Sequence, residues 1–445
     1  MTVATTGIPG LGEALEVARP LTYGRLVELK GLHLLARGVD AAVGDLVAVG
    51  GDEMRSDETF AAVLAEVVAS TPEGVVCMPL GPTDGLRRGA PVRCTGAPLG
   101  VPVGDALRGR VLDGLGRPVD GGPALTGAPM VRVENAAPAP LSRSRVDRQV
   151  GLGVRALDAF VPCGRGQRMS IMAGSGVGKS TLLSMIARGT EAAVSVIALI
   201  GERGREVREF IENDLGPEGL SRSVVVVATS DAPPVVRLRA AFVATRIAEW
   251  FRDSGEDVLL MMDSLTRVAM AQREIGLSAG EPPTTRGYPP SVFGMLPRLL
   301  ERAGPGATGS ITGLYTVLVE GDDLQDPIGD TSRSILDGHI VLSRRLATGG
   351  HYPSIDVLES LSRVAPSVTD REQLAAATTL RRLLAAHRDV RELVEIGAYA
   401  VGSDPDADRA LALMPRIQAF LRQPVDEPTS VTQTWRMLHE LLGTA

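Results

Sequence analysis

Lysine is nearly absent from this chain. Only Lys30 and Lys179 occur in 445 residues, although 46 residues are basic. Arginine stands almost everywhere else, so a retained lysine is a candidate for work that arginine cannot do. Cysteine is scarce as well. Cys77, Cys94 and Cys163 form no CxxC pair, which speaks against a disulfide framework and a cysteine-held zinc and suits a reducing compartment. No apolar run approaches the ~18–20 residues needed to span a bilayer; the longest, such as Val194–Ile200, have the length of a buried strand. Met1–Pro9 lacks a basic patch leading into an apolar core, so no secretory signal is expected. Aromatics make up 3% of the chain and the net charge is −7, a poor composition for a surface that stacks on and neutralises nucleic acid. The expectation is a cytoplasmic protein of two or three domains that does not bind nucleic acid.

Hydrophobic patterning divides the chain. Residues 1–20 form a short tail in which Leu11, Leu15 and Ala18 could share one face of a two-turn helix, marginal by itself. Over 21–92, short apolar runs (Leu46–Val49, Val63–Val68, Val75–Met78) alternate with Gly, Pro and Asp clusters. That pattern predicts a small β domain, closed as a barrel, with Tyr23 and Phe60 its only aromatics. Residues 93–150 are rich in glycine and proline and read as a turn-laden lead into the next domain. From Gly151 to Val364, buried-strand runs at Met169–Met172, Val194–Ile200, Val224–Ala228 and Val258–Met262 alternate with helical stretches near Leu182–Arg188, Arg205–Asn213 and Val236–Phe251. Further strands are expected at Ser310–Val319 and His339–Leu342. Such alternation predicts an α/β fold, a parallel sheet covered by helices on both faces. Beyond Pro366, leucines at helical spacing predict a C-terminal helical domain over 367–445, leaving 93–366 to the α/β domain and its lead.

The decisive motif is Ala173-Gly174-Ser175-Gly176-Val177-Gly178-Lys179-Ser180, with Thr181 continuing into the helix. A predicted strand precedes it and a predicted helix follows, the context of a P-loop. Glycines let backbone N–H groups curl round an anion without Cβ clashes, and the helix N-terminus adds partial positive charge. Lys179 would reach the β- and γ-phosphates of ATP, and the Ser180 hydroxyl would hold Mg²⁺. Ala173 departs from the usual first glycine, which is tolerable where φ is negative.

Two acids fall at predicted strand ends. Asp263 closes Val258–Met262 and is placed to serve Mg²⁺ through water, with a helix N-cap as a compatible second role. Glu202 lies just past Val194–Ile200 and is the candidate to orient the attacking water. In a parallel sheet the carboxyl ends of strands converge on one crevice, so these acids should meet the P-loop. Arg203 is a candidate either for the γ-phosphate or for a structural ion pair, and Glu206 is a weaker candidate.

Together, Gly174–Ser180, Ile200–Phe210, Met262–Arg267, Gly287–Phe293 and Asp337–Arg345 resemble the type III export ATPases, relatives of the catalytic β subunits of rotary F-type ATPases. The likeness runs from about Tyr23 to Phe420, and residues 397–405 resemble the flagellar branch in particular. It implies an N-terminal β-barrel, a RecA-like P-loop core and a C-terminal helical domain, assembled as a homohexamer with nucleotide at each subunit boundary. The implied work is ATP hydrolysis coupled to protein export, most closely flagellar, beside regulator, stalk and chaperone–cargo proteins. The implied site is the cytoplasmic face of the membrane export gate. By the same likeness Glu202 matches the catalytic carboxylate, Arg203 a phosphate-sensing arginine, Tyr352 the residue that packs on adenine, and Arg363 an arginine finger given to the neighbouring site. Further adenine-pocket aromatics are not evident near Val425–Ser430. Readings weighed against this are an injectisome ATPase, a rotary F/V-type catalytic subunit, a hexameric RNA translocase and a non-catalytic nucleotide-binding subunit. The last would be expected to lack Glu202.

Overall fold

The structure, a computed structural model, describes residues 23–51, 62–319 and 326–443. The helical face expected within 1–20 and the aromatic Phe60 lie outside the described residues. The chain forms two compact units, Met1–Leu99 and Gly100–Ala445.

In the first unit, six antiparallel strands close on themselves in the order Tyr23–Lys30, His33–Arg37, Gly74–Pro79, Val63–Thr71, Asp45–Val49, Pro91–Pro98. Closure leaves no open edge to template another chain. Alternation fills the barrel: Leu34 and Ala36 point in while their neighbours are more exposed, and Leu26, Val47, Ala65, Val67, Cys77 and Val92 complete the core. The last strand runs to Pro98, past the expected boundary at Val92. Gly96 and Pro98 read locally as turn residues, yet the strand pairs through Val92, Arg93, Cys94 and Pro98 with Asp45–Val49, at a bulge that accommodates them. Cys77, Cys94 and Cys163 carry free thiols.

The second unit is built on a largely parallel sheet. Its strands lie in the order Leu361–Ser362, Gly338–Val341, Arg168–Ala173, Ser310–Leu318, Asp257–Asp263, Val194–Ile200, Ser223–Ala228, Val111–Asp113. Val194–Ile200 is buried along its whole length, as a strand covered on both faces must be. Helix Pro234–Asp253 packs on the strands Val194–Ile200, Asp257–Asp263 and Ser223–Ala228. The glycine- and proline-rich stretch before Gly151 is not all turn: Val111–Asp113 adds an edge strand to the main sheet.

Three C-terminal helices follow, Arg371–Glu395, Pro405–Leu421 and Val431–Leu442. Asp370 and Ser430 start the first and third with capping boxes, and the Asp404 side chain caps the second; each cap is worth about 1 kcal/mol. Their apolar faces are continuous with the core of the nucleotide-binding region: Leu380, Leu383, Ile417, Phe420 and Leu438 cluster with Leu157 and Phe160.

Candidate active site

Strand register assembles the site. Ala173 is level with Leu318, Met262 with Tyr315, and Leu199 with Asp263. The carboxyl ends of Arg168–Ala173, Asp257–Asp263 and Val194–Ile200 therefore open on one crevice of about 1130 Å³. Ala173 ends its strand in extended conformation, and Arg286 is the one non-glycine with positive φ among the described residues, so alanine adds no strain here. The loop's left-handed positions are held by Gly176 and Gly178, at φ 73° and 92°, where a side chain would be strained. Helix Lys179–Gly189 begins directly afterwards and turns its N-terminal N–H groups toward the loop.

Lys179 is the hub. Its Nζ donates to Glu202 Oε1 at 2.9 Å and to Asp263 Oδ1 at 2.6 Å. Burial disfavours the ammonium, but the two carboxylates outweigh it and hold its pKa above the ordinary lysine value. Thr316, opposite Asp263 on the neighbouring strand and fully buried, donates its hydroxyl to the same Oδ1 at 2.6 Å. Asp263 Oδ2 takes no hydrogen bond among the described residues. The exposed Ser180 hydroxyl makes none either. The helix-capping role weighed for Asp263 falls instead to the next residue, since Ser264 Oγ accepts from Arg267 N.

Of the residues singled out in the sequence, Gly174, Ser175, Gly176, Gly178, Lys179, Ser180, Thr181, Glu202, Arg203 and Tyr352 line the crevice. Val177 does not; it is buried and joins the core beneath the loop. Arg203 is 80% exposed and sits 3.6 Å from Glu206. Tyr352 lies over the loop: a Cβ added to Gly178 would stand 3.2 Å from its Cε1. Arg363 is elsewhere, exposed beyond the strand Leu361–Ser362, donating to the Arg333 carbonyl at 3.1 Å.

The structure adds groups to which the sequence assigned no role. Arg267, in the first turn of helix Leu265–Ser278, lines the crevice with its Nε unpartnered. Its stem needs Gly201 (φ 74°), where a Cβ would meet it at 2.8 Å. Arg344 donates to the Ser175 carbonyl at 3.2 Å, and Ser354 Oγ donates to the Val177 carbonyl at 2.5 Å, so two side chains brace the loop backbone. Lys179, Arg203, Arg267, Arg273, Arg286 and Arg344 outnumber the acids Glu202, Glu206 and Asp326 on the crevice wall, a field that attracts a triphosphate.

A phosphate-cradling loop between strand and helix, with a lysine and two strand-end carboxylates converging on it, defines a P-loop nucleotide hydrolase on a RecA-like core. Comparison with known proteins narrows the class. Residues 153–362 match the model of the ATP synthase alpha/beta family nucleotide-binding domain, 36–96 its beta-barrel domain, and 369–440 the T3SS EscN ATPase C-terminal domain. The flagellum-specific ATP synthase of Bacillus subtilis is 49% identical, over 95% of each chain. The type 3 secretion system ATPase of Xanthomonas euvesicatoria is 51% identical, over 94% of this chain and 93% of that one. The assembled ATPase EscN of the enteropathogenic E. coli type III secretion system superposes with a TM-score of 0.88 at 45% identity, covering 94% of this chain and all of that one. The chain belongs to the type III export ATPases of the ATP synthase alpha/beta family, and it is an ATPase. Flagellar and secretion-system relatives match it almost equally, so the likeness fixes the family and not the branch. Among the described residues no helix is long and apolar enough to cross a membrane.

Proposed function

We propose that this chain hydrolyses ATP with Lys179, Glu202 and Asp263 as the central trio, in a homohexameric ring that serves protein export. One observation carries the proposal: a single ammonium at the mouth of the P-loop is shared by two carboxylates from different strand ends, at 2.9 and 2.6 Å. A γ-phosphate entering the loop competes for Lys179 and frees Glu202. Glu202 then orients the attacking water and takes its proton as the P–O bond to ADP breaks. Asp263 stays anchored by Thr316.

Ser180 and the free oxygen of Asp263 fit Mg²⁺, which prefers oxygen ligands and would neutralise phosphate charge. The backbone of residues 173–181 cradles the phosphates, and Tyr352 packs on the base. Arg203 and Arg267 approach the γ-phosphate as charge develops there. Arg363, remote from its own crevice, completes the site of a neighbouring subunit.

Assembly of the relative EscN, also solved with its central stalk EscO, supports a ring with a stalk partner. Regulator and chaperone–cargo partners and a position at the membrane export gate follow from the same family. The test is Glu202→Gln in the assembled enzyme. ATP affinity should persist while turnover falls about 10²–10⁴-fold, the usual worth of a positioned base. Turnover near that of the unmodified chain would remove Glu202 from its role.

A further inference from the structure

Tyr352 is 41% exposed, although its neighbours His351, Ser354, Ile355 and Val357 are buried. Its ring rests against Gly178 on the loop side. His351, Ile355, Asp356 and Val357 border a second cavity of about 470 Å³, whose far wall comes from the C-terminal helices through Leu384, Met414 and other residues. Beside the packing of Ile355 and Val357 in the core, polar bonds hold the segment: His351 N–H donates to the Leu346 carbonyl at 2.9 Å, Ser343 N–H donates to the Ser354 carbonyl at 2.8 Å, and Ser354 Oγ donates to the Val177 carbonyl.

The Tyr352 carbonyl itself is held from Gln423, two residues past the helix Pro405–Leu421 and 3% exposed. Its backbone N–H donates to the Tyr352 carbonyl at 3.0 Å. Its side chain is fully used: Nε2 donates to the Gly153 and Glu427 carbonyls, both at 2.7 Å, and Oε1 accepts from Arg155 N at 2.8 Å. Arg155 secures the same turn from the other side, donating to the Phe420 carbonyl at 2.9 Å and to the Arg422 carbonyl at 2.5 Å. A primary amide is the group this node requires, since two donors and one acceptor must be met at once.

We propose that Gln423 is a positioning residue for nucleotide recognition: it holds Tyr352 over the P-loop and ties the C-terminal helices to the base site. The inference rests on Tyr352 packing against the base. It assigns Gln423 no contact with ATP. Loss of its amide loosens the turn from which the Gln423 N–H holds the Tyr352 carbonyl, which weakens the hold on the base and leaves the phosphate cradle intact.

The experiment measures the KM for ATP, kcat and the inhibition constant of magnesium tripolyphosphate for Gln423→Ala, Gln423→Met and Tyr352→Ala in the full-length assembled enzyme. Tripolyphosphate reports on the cradle without a base. Gln423→Ala and Gln423→Met should raise the KM for ATP about tenfold, within the worth of one base–aromatic stack, with kcat within about threefold of the unmodified value and tripolyphosphate inhibition unchanged. Equal weakening of ATP and tripolyphosphate would make Gln423 a merely structural residue and overturn the proposal. If Tyr352→Ala raises the KM and neither Gln423 variant does, the positioning role fails while the base-packing role of Tyr352 stands. If Tyr352→Ala leaves the KM unchanged, the base-packing role itself fails. A Tyr352→Trp reporter covers poor yields of a Gln423 variant: quenching by ATP in the folded fraction should be lost when Gln423→Ala is added, and retained quenching overturns the proposal.

Discussion

Two variants, each inactive alone, should restore hydrolysis when mixed in one ring. Arg363 follows the strand Leu361–Ser362, in which Ser362 pairs with Gly338, the first residue of Gly338–Val341. That strand runs parallel to Arg168–Ala173 with His339 level with Ser170, so Gly338 is level with Met169. From Met169 to Gly174 is five residues, roughly 16 Å at ~3.3 Å per residue. Arg363 thus stands at the amino end of the sheet, while its own P-loop opens at the carboxyl end, beyond the reach of one arginine side chain. If it acts on phosphate, it acts on the phosphate of another subunit.

An arginine finger is worth about 10³–10⁵ in rate, or roughly 4–7 kcal/mol of barrier. Arg363→Ala and Lys179→Ala should therefore each be nearly inactive. In a ring, a site built from an Arg363→Ala subunit keeps its lysine and regains the finger when its neighbour carries Lys179→Ala. Random mixing in equal amounts places that pair at about one boundary in four (one half times one half) in a cyclic assembly. Differently tagged variants, assembled together and purified through both tags, should recover about a quarter of full turnover per ring, against almost none for either parent. Doubly tagged rings no more active than the parents would refute the trans role, as would full turnover of Arg363→Ala alone.

Three further outcomes follow from the same geometry. Specific activity should rise steeply with protein concentration across the range in which rings form, because a subunit by itself lacks the finger; a constant turnover per chain through that range contradicts it. Thr316→Val removes the hydroxyl that Asp263 Oδ1 accepts at 2.6 Å and should weaken use of Mg·ATP by about 1–3 kcal/mol, read as kcat/KM against magnesium concentration; an unchanged magnesium profile would show that Asp263 needs no such anchor. Burial and the charge of Arg422 hold the His351 pKa below the ordinary 6.5, and burial likewise lowers His339 and His387. Between the lowered folded values and 6.5 the unfolded chain binds more protons, so this stability is fully present above pH 6.5 and is lost as the pH falls. The melting temperature should drop below pH 6.5, and His351→Gln should reduce the drop.

What the sequence made legible is what one contiguous segment can state. Ala173–Ser180 carries its phosphate chemistry in order, and the strand before it and helix after it are visible as runs of the right length and period. Asp263 and Glu202 were legible because a parallel sheet gathers strand ends, so being last in an apolar run already locates a side chain. Thr316 was invisible for the complementary reason. It lies inside Ser310–Leu318, where a threonine looks like any strand residue until register sets it opposite Asp263. Arg267 left a weak trace, as a cation in the first turn of a helix whose N-terminus faces the crevice. Pro91–Pro98 misled because its turn-forming residues sit at a bulge that only the partner strand Asp45–Val49 explains.

The same contrast between local and long-range information bears on the proposed division of the site between subunits. Every group that touches the phosphates through the chain's own fold comes from the carboxyl edge of the sheet, where helix N-termini and loop N–H groups also point. That edge presents Lys179 to a triphosphate but holds it in an ion pair with Glu202 and Asp263, and the proposed reaction needs Glu202 free. On the proposed mechanism nucleotide displaces that pair, and Arg363, placed at the far edge, would meet a γ-phosphate only on another copy. On this proposal hydrolysis depends on a boundary between subunits rather than on a pocket within one. A chain working this way would bind ATP as a single subunit yet release its energy only where two subunits meet, which would couple the chemical step to assembly.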